Sequence, residues 1–153
     1  MQWEMCEATI WSANIAALAR AVAGHSGAVV KTISDEVMAA FADPVDAVSA
    51  SIDIAREVEE MNRSHSDRLR LKMGIHGGHC LLVTLNNQPD YFGQTVNIAY
   101  RVLRLARGGE LCLSNDIFEN PQVADLLDSF GVPTVRADTD VSEAKAWAYI
   151  LQR

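Results

Sequence analysis

The chain has 153 residues, 49% of them hydrophobic and 22% charged, and its 13 Lys plus Arg against 20 Asp plus Glu give a formal charge of −7. That length reads as one domain spanning 1–153, able to bury about 68–70% of the surface it exposes when unfolded. The acidic balance excludes a broad nucleic-acid face or an anionic-membrane face, so a phosphate compound would have to be held by a few local groups, with Lys31, Lys72 and Lys145 the only lysines.

Trp11, Ile15, Leu18 and Val22 recur at helical spacing and Gly24 follows as a cap, which predicts an opening helix. Ala28 to Ile33 is rich in β-branched residues and predicts a strand, Ser34-Asp35 a turn, and Val37 to Phe41 the returning strand. Asp43-Pro44 has the form of an N-cap with proline at the first helical position, and Val45, Val48, Ile52 and Ala55 carry a second helix to about Met61. From Leu69 to Ile75 apolar residues alternate, predicting a half-buried strand that Gly77-Gly78 ends, with Cys80 to Thr84 returning as a hairpin. Asn86 to Asp90 reads as a loop, and a third helix places Val96, Ala99, Leu103 and Ala106 on one side. Glu110 to Leu113 reads as a strand, Asn115 to Leu127 as mostly helical, and the tail as two short strands, Val132 to Arg136 and Ala144 to Leu151. The order predicts an α+β arrangement of helices on a mostly antiparallel sheet.

Three scattered cysteines, Cys6, Cys80 and Cys112, imply no disulfide framework and point to the cytoplasm. Glu4 and Glu7 stand where a signal peptide would carry basic residues, and no apolar run approaches the roughly 20 residues a membrane helix needs, so no direct membrane insertion is expected. His76, His79 and Cys80 fall short of a zinc set, having no fourth ligand near in sequence. Trp11, Trp147 and Tyr149 read as core or interface residues.

Three stretches carry a resemblance. Val30-Lys31-Thr32-Ile33-Ser34-Asp35-Glu36-Val37-Met38-Ala39-Ala40-Phe41, Gly74-Ile75-His76-Gly77-Gly78 and Asp90-Tyr91-Phe92-Gly93-Gln94-Thr95-Val96-Asn97-Ile98-Ala99-Tyr100-Arg101 together resemble the class III nucleotidyl cyclase catalytic domain, from about Trp11 to Asn115. The resemblance implies a ferredoxin-like α+β cyclase homology domain that converts ATP to cyclic AMP and pyrophosphate. It implies that Lys31 and Asp90 bind the substrate by reading adenine, the lysine donating to N1 and the aspartate accepting from the exocyclic amine. Asn97 and Arg101, four apart on a helix, are implied as the catalytic pair that orients the ribose and meets the phosphates. Asp35 is implied as the second of two aspartates holding two magnesium or manganese ions. A homodimer is implied too, the metal aspartates of one copy facing the purine pair, Asn and Arg of the other.

Three departures bear on activity. The family opens with a strand carrying the first metal aspartate; only thirty residues precede Lys31, and none of residues 1–22 has its form, so the domain reads as N-terminally incomplete, with that strand encoded upstream. Ser34 replaces a glycine where a turn can require positive φ, at about 1 kcal/mol. Val141 falls where the family's tail offers a phosphate-binding lysine. Two readings follow, an adenylyl cyclase impaired in this chain and a non-catalytic module for dimerisation or nucleotide sensing.

Overall fold

The computed structural model describes residues 4–11, 15–33, 36–132, 134–141 and 144–150. In chain order the elements are β1 (Glu4–Trp11), α1 (Ile15–Gly24), β2 (Ala28–Ile33), β3 (Glu36–Phe41), α2 (Pro44–Arg63), β4 (Lys72–His79), β5 (Leu81–Leu85), β6 (Gln88–Phe92), α3 (Gln94–Leu105), β7 (Glu110–Ser114), α4 (Asn115–Phe118), α5 (Pro121–Ser129), β8 (Thr134–Val141) and β9 (Ala144–Ile150). Seven strands form one sheet in the order β2-β3-β1-β4-β7-β9-β8, and β5 and β6 form a separate ribbon. Only the β4–β7 pairing is parallel among those described; the rest are antiparallel, and the fold is α+β as the residue pattern predicts.

The opening of the chain differs from the sequence expectation. Residues 4–11 are a strand, and it lies in the interior of the sheet, with Cys6 opposite Phe41 on β3 and opposite Gly77 on β4. The first helix therefore begins at Ile15 rather than Trp11, with a strand ahead of it that the residue pattern does not predict. From Cys6 to Ile10 the segment is paired on both edges, which outweighs a short helical spacing. The same pairing carries β4 straight through Gly77-Gly78, which face Cys6 and Met5. The hairpin then forms one element later, between β5 and β6. Its two-residue turn is Asn86-Asn87, with φ of 51° and 60°, the left-handed pair that a tight β-hairpin of this kind requires.

Alternate residues of each strand serve opposite layers. Val37, Ala39 and Phe41 of β3, Met73 and Ile75 of β4, and Leu111 and Leu113 of β7 join Leu18, Val22, Val48, Ile54, Val58, Ile117 and Leu127 in the main core. α2 is well started for this role: Asp43 accepts from the Val45 amide at 2.9 Å and Pro44 opens the first turn. On the other face, Val102 of α3 and Ala106, which follows the helix as its C-cap, form a smaller cluster with Cys112 and Ala148. Gly74 lets α3 come close: a Cβ there would stand 2.5 Å from the Leu103 Cα. That contact sets the height of α3 above the sheet, and so of every functional side chain it carries. Tyr149 is buried in the main core and meets Phe118 with ring centroids 6.5 Å apart; the side chains of Trp11 and Trp147 lie outside the described residues.

Candidate active site

Beside α3, the sheet is left open over β2 and the start of β3. The resulting cleft, ≈270 Å³, is lined by Lys31, Glu36, Met38, Val96, Asn97, Tyr100 and Arg101. Strand register explains half of that set. Lys31 is the Cα partner of Met38 across the β2–β3 ladder, and Glu36 lies two residues along β3, so all three share the face toward α3. Helix geometry explains the other half, because Asn97, Tyr100 and Arg101 are spaced three and four apart and share one face of α3. Ala99, Val102 and Leu103 are buried beneath them and anchor the helix.

Lys31 and Asp90 meet across β2 and β6. The Lys31 Nζ is 3.0 Å from Asp90 Oδ1 and 3.3 Å from Oδ2, with 34% and 26% of the two side chains exposed. Asp90 Oδ1 also accepts from the Tyr91 amide at 2.8 Å, which fixes the carboxylate against its own strand. The pair spans fifty-nine residues of sequence and needs the Asn86-Asn87 turn to exist. Of the five residues singled out from the sequence, the structure thus brings Lys31, Asn97 and Arg101 into one cleft and ties Asp90 to Lys31. Asp35, with Ser34, lies outside the described residues.

Four lining residues were not anticipated: Glu36, Met38, Val96 and Tyr100. Period-two pairing across the hairpin would have found the first two, and the spacing of three from Asn97 the last. Val96, predicted on the core stripe, is instead a cleft residue, because α3 turns its first turn past the edge of the smaller cluster. Glu36 is the carboxylate among the described lining residues.

His76 is buried, with Nδ1 2.8 Å from the Ser114 hydroxyl on β7. Burial pushes its imidazole below the usual range, against the opposing pull of the Asp116 carboxylate. It links β4 to β7 on the α3 side of the sheet. Among the described residues no three His, Cys, Asp or Glu side chains are grouped to hold a metal ion. No helix of the described residues is long and apolar enough to cross a membrane.

Residues 10–144 match the model of the adenylate and guanylate cyclase catalytic domain. Over 117 residues the chain is 28% identical to a pH-sensitive adenylate cyclase of Mycobacterium tuberculosis, a stretch covering 76% of this chain and 28% of that protein. The chain spans about a third or less of the length of the curated relatives it matches. In fold it is similar to the adenylyl cyclase CyaB from P. aeruginosa, with a TM-score of 0.76 at 16% identity over 100% of this chain and 96% of that one. It is similar also to the guanylyl cyclase Cya2, with a TM-score of 0.71 at 15% identity over 97% and 92%. One fold serves an adenylyl and a guanylyl enzyme, so the base must be argued from side chains.

Proposed function

The chain belongs to the adenylate and guanylate cyclase catalytic domain family, and on that premise we propose that it is a single adenine-type cyclase domain, residues 1–153, that binds ATP. The observation that carries this is the Lys31–Asp90 pair beside a cleft lined by Asn97 and Arg101. An ammonium next to a carboxylate presents one donor and one acceptor to a base edge. Adenine offers the matching acceptor at N1 and donor at its amine, whereas guanine offers them reversed. Arg101 would meet phosphate charge and Asn97 would orient the ribose, a reading supported by their lining one cleft with Lys31. In the reaction the ribose 3′-oxygen attacks the α-phosphorus as its proton leaves, and the bond to the β-phosphate oxygen breaks to release pyrophosphate. Charge then grows on the phosphates, where a guanidinium stabilises it.

Turnover is a separate matter. Two magnesium or manganese ions, implied by the resemblance, would activate the 3′-hydroxyl and neutralise phosphate. The described cleft offers one carboxylate, Glu36, and β1 carries Glu4 and Glu7 but no aspartate. Among the described residues that set does not make a two-ion site, and Asp35 lies outside them. We therefore assign the chain by itself little or no cyclic AMP formation. The same lack of an aspartate on β1 favours the second reading, a non-catalytic module that senses nucleotide or dimerises.

A homodimer in which a second copy faces the site is the assembly that the resemblance implies. The odd, scattered cysteines support a cytoplasmic setting. Calorimetric titration with ATP and GTP tests the base assignment: ATP is expected to bind at least about tenfold more tightly, and equal affinities would overturn it. An assay with ATP and manganese tests turnover. Robust cyclic AMP that Asp35→Asn abolishes would overturn the assignment of little or no activity.

A further inference from the structure

Tyr100 has no structural need to be aromatic. Ala99, Val102 and Leu103 hold α3 to the sheet, while Tyr100 stands 40% exposed on the opposite side, at the cleft. Yet its ring is held in place. The Arg104 guanidinium carbon lies 5.6 Å from the ring centroid, and Arg104 Nη1 is 3.5 Å from the Tyr100 hydroxyl, one helical turn along. A half-exposed ring restrained by a cation, beside a lysine, an asparagine and an arginine in one cleft, is a preorganised flat surface.

We propose that Tyr100, positioned by Arg104, is a nucleotide contact that packs its ring against the purine. The inference rests on the ATP-binding reading above and adds a contact to it. Reading a base by its edge, as Lys31 and Asp90 would, leaves both π-faces of the purine to be covered. Tyr100 is the aromatic side chain among the described lining residues, with Met38 and Val96 supplying the apolar remainder. Such a surface does not distinguish adenine from guanine, since every purine has a π-face. Tyr100 therefore adds affinity, and the choice of base stays with Lys31 and Asp90.

Titrating the full chain with ATP and with inorganic triphosphate tests this. Tyr100→Leu is expected to weaken ATP roughly ten- to a hundredfold. Tyr100→Phe restores it, and triphosphate binding and the melting temperature stay as in the parent. Arg104→Gln, which frees the ring, is expected to weaken ATP by less than about tenfold. Parent-like ATP affinity in Tyr100→Leu overturns the contact and leaves the ATP-binding reading standing. Equal losses for ATP and triphosphate also overturn it, by placing the effect on the phosphates or the fold. An altered sedimentation coefficient with unchanged ATP affinity reassigns Tyr100 to contact between copies. Absence of ATP binding in the parent removes the ATP-binding reading and this contact together.

Discussion

On one face of the seven-stranded sheet, α1, α2, α4 and α5 close over Phe41, Met73, Ile75, Leu111 and Leu113. On the other, α3 and its C-cap cover the centre through Val102 and Ala106 and leave Lys31, Glu36 and Met38 lining a cleft. The first face is built almost wholly of aliphatic side chains and Phe41. The second carries the polar groups that line the cleft. Burial of apolar surface is the main source of stability, so a face sealed in this way lets the other remain partly open. Polar side chains on the open face then avoid the cost of burial without a partner.

The largest expected effect separates the faces most sharply. Phe41, 1% exposed in the sealed core, should cost about 3–5 kcal/mol when cut to alanine. Denaturant unfolding would show a lower midpoint, while ATP affinity measured well below that midpoint should hold. A large loss of affinity without loss of stability would mean that the faces are not separable.

Gly74→Ala probes the join between the faces. The added methyl would meet Leu103 backbone atoms at 2.5 Å, and backbone cannot rotate away. A destabilisation of about 1–3 kcal/mol is expected. Unlike Phe41→Ala, it should also weaken ATP, because lifting α3 displaces Asn97 and Arg101. Unchanged binding in a folded Gly74→Ala protein would show that the height of α3 does not set the site.

Within the open face, Lys31→Ala should leave stability nearly unaltered and weaken ATP about ten- to a hundredfold while narrowing its lead over GTP. Calorimetry on the pair Lys31→Ala and Asp90→Ala, singly and together, would show coupling if the two read the base as a unit. Strictly additive losses would break that assignment.

The smallest effect concerns His76. Its imidazole is pushed below the ordinary value by burial, so the unfolded chain binds more protons than the folded one as pH falls. Stability is thus unaffected well above about pH 6.5, the ordinary imidazole value, and declines as pH drops through and below it. His76→Gln, which keeps a donor for Ser114, should flatten that decline in unfolding curves taken between about pH 5 and 7. An unchanged slope would trace the pH dependence to other groups.

Lys31, Asn97 and Arg101 were singled out by resemblance, and residue order by itself gives the local relations among the lining residues. Lys31 and Met38 face each other across a short hairpin, and Asn97 and Arg101 are one turn apart on a helix. Either relation follows from strand or helix geometry alone. Tyr100 was equally local and could have been found by the same spacing. The Lys31–Asp90 contact was suggested only by resemblance, since fifty-nine residues separate the two and nothing in their neighbours marks the pairing.

The opening strand shows where residue order stops informing. Glu4–Trp11 contains a single β-branched aliphatic residue, Ile10, together with Thr9, and ends where a helical spacing begins. Its local preference is weak, and it becomes an interior strand because β3 and β4 supply ladder partners on both sides. Gly77-Gly78 tells the same story: glycine weakens a strand by itself, yet pairing with Cys6 and Met5 holds β4 extended to His79. Side-chain period and capping are properties of neighbours in sequence, and they set α2, α3 and the β2–β3 hairpin. Strand partnership joins segments far apart in the chain, so the place of β1, the run of β4 and the meeting of Lys31 with Asp90 were decided only when the sheet closed.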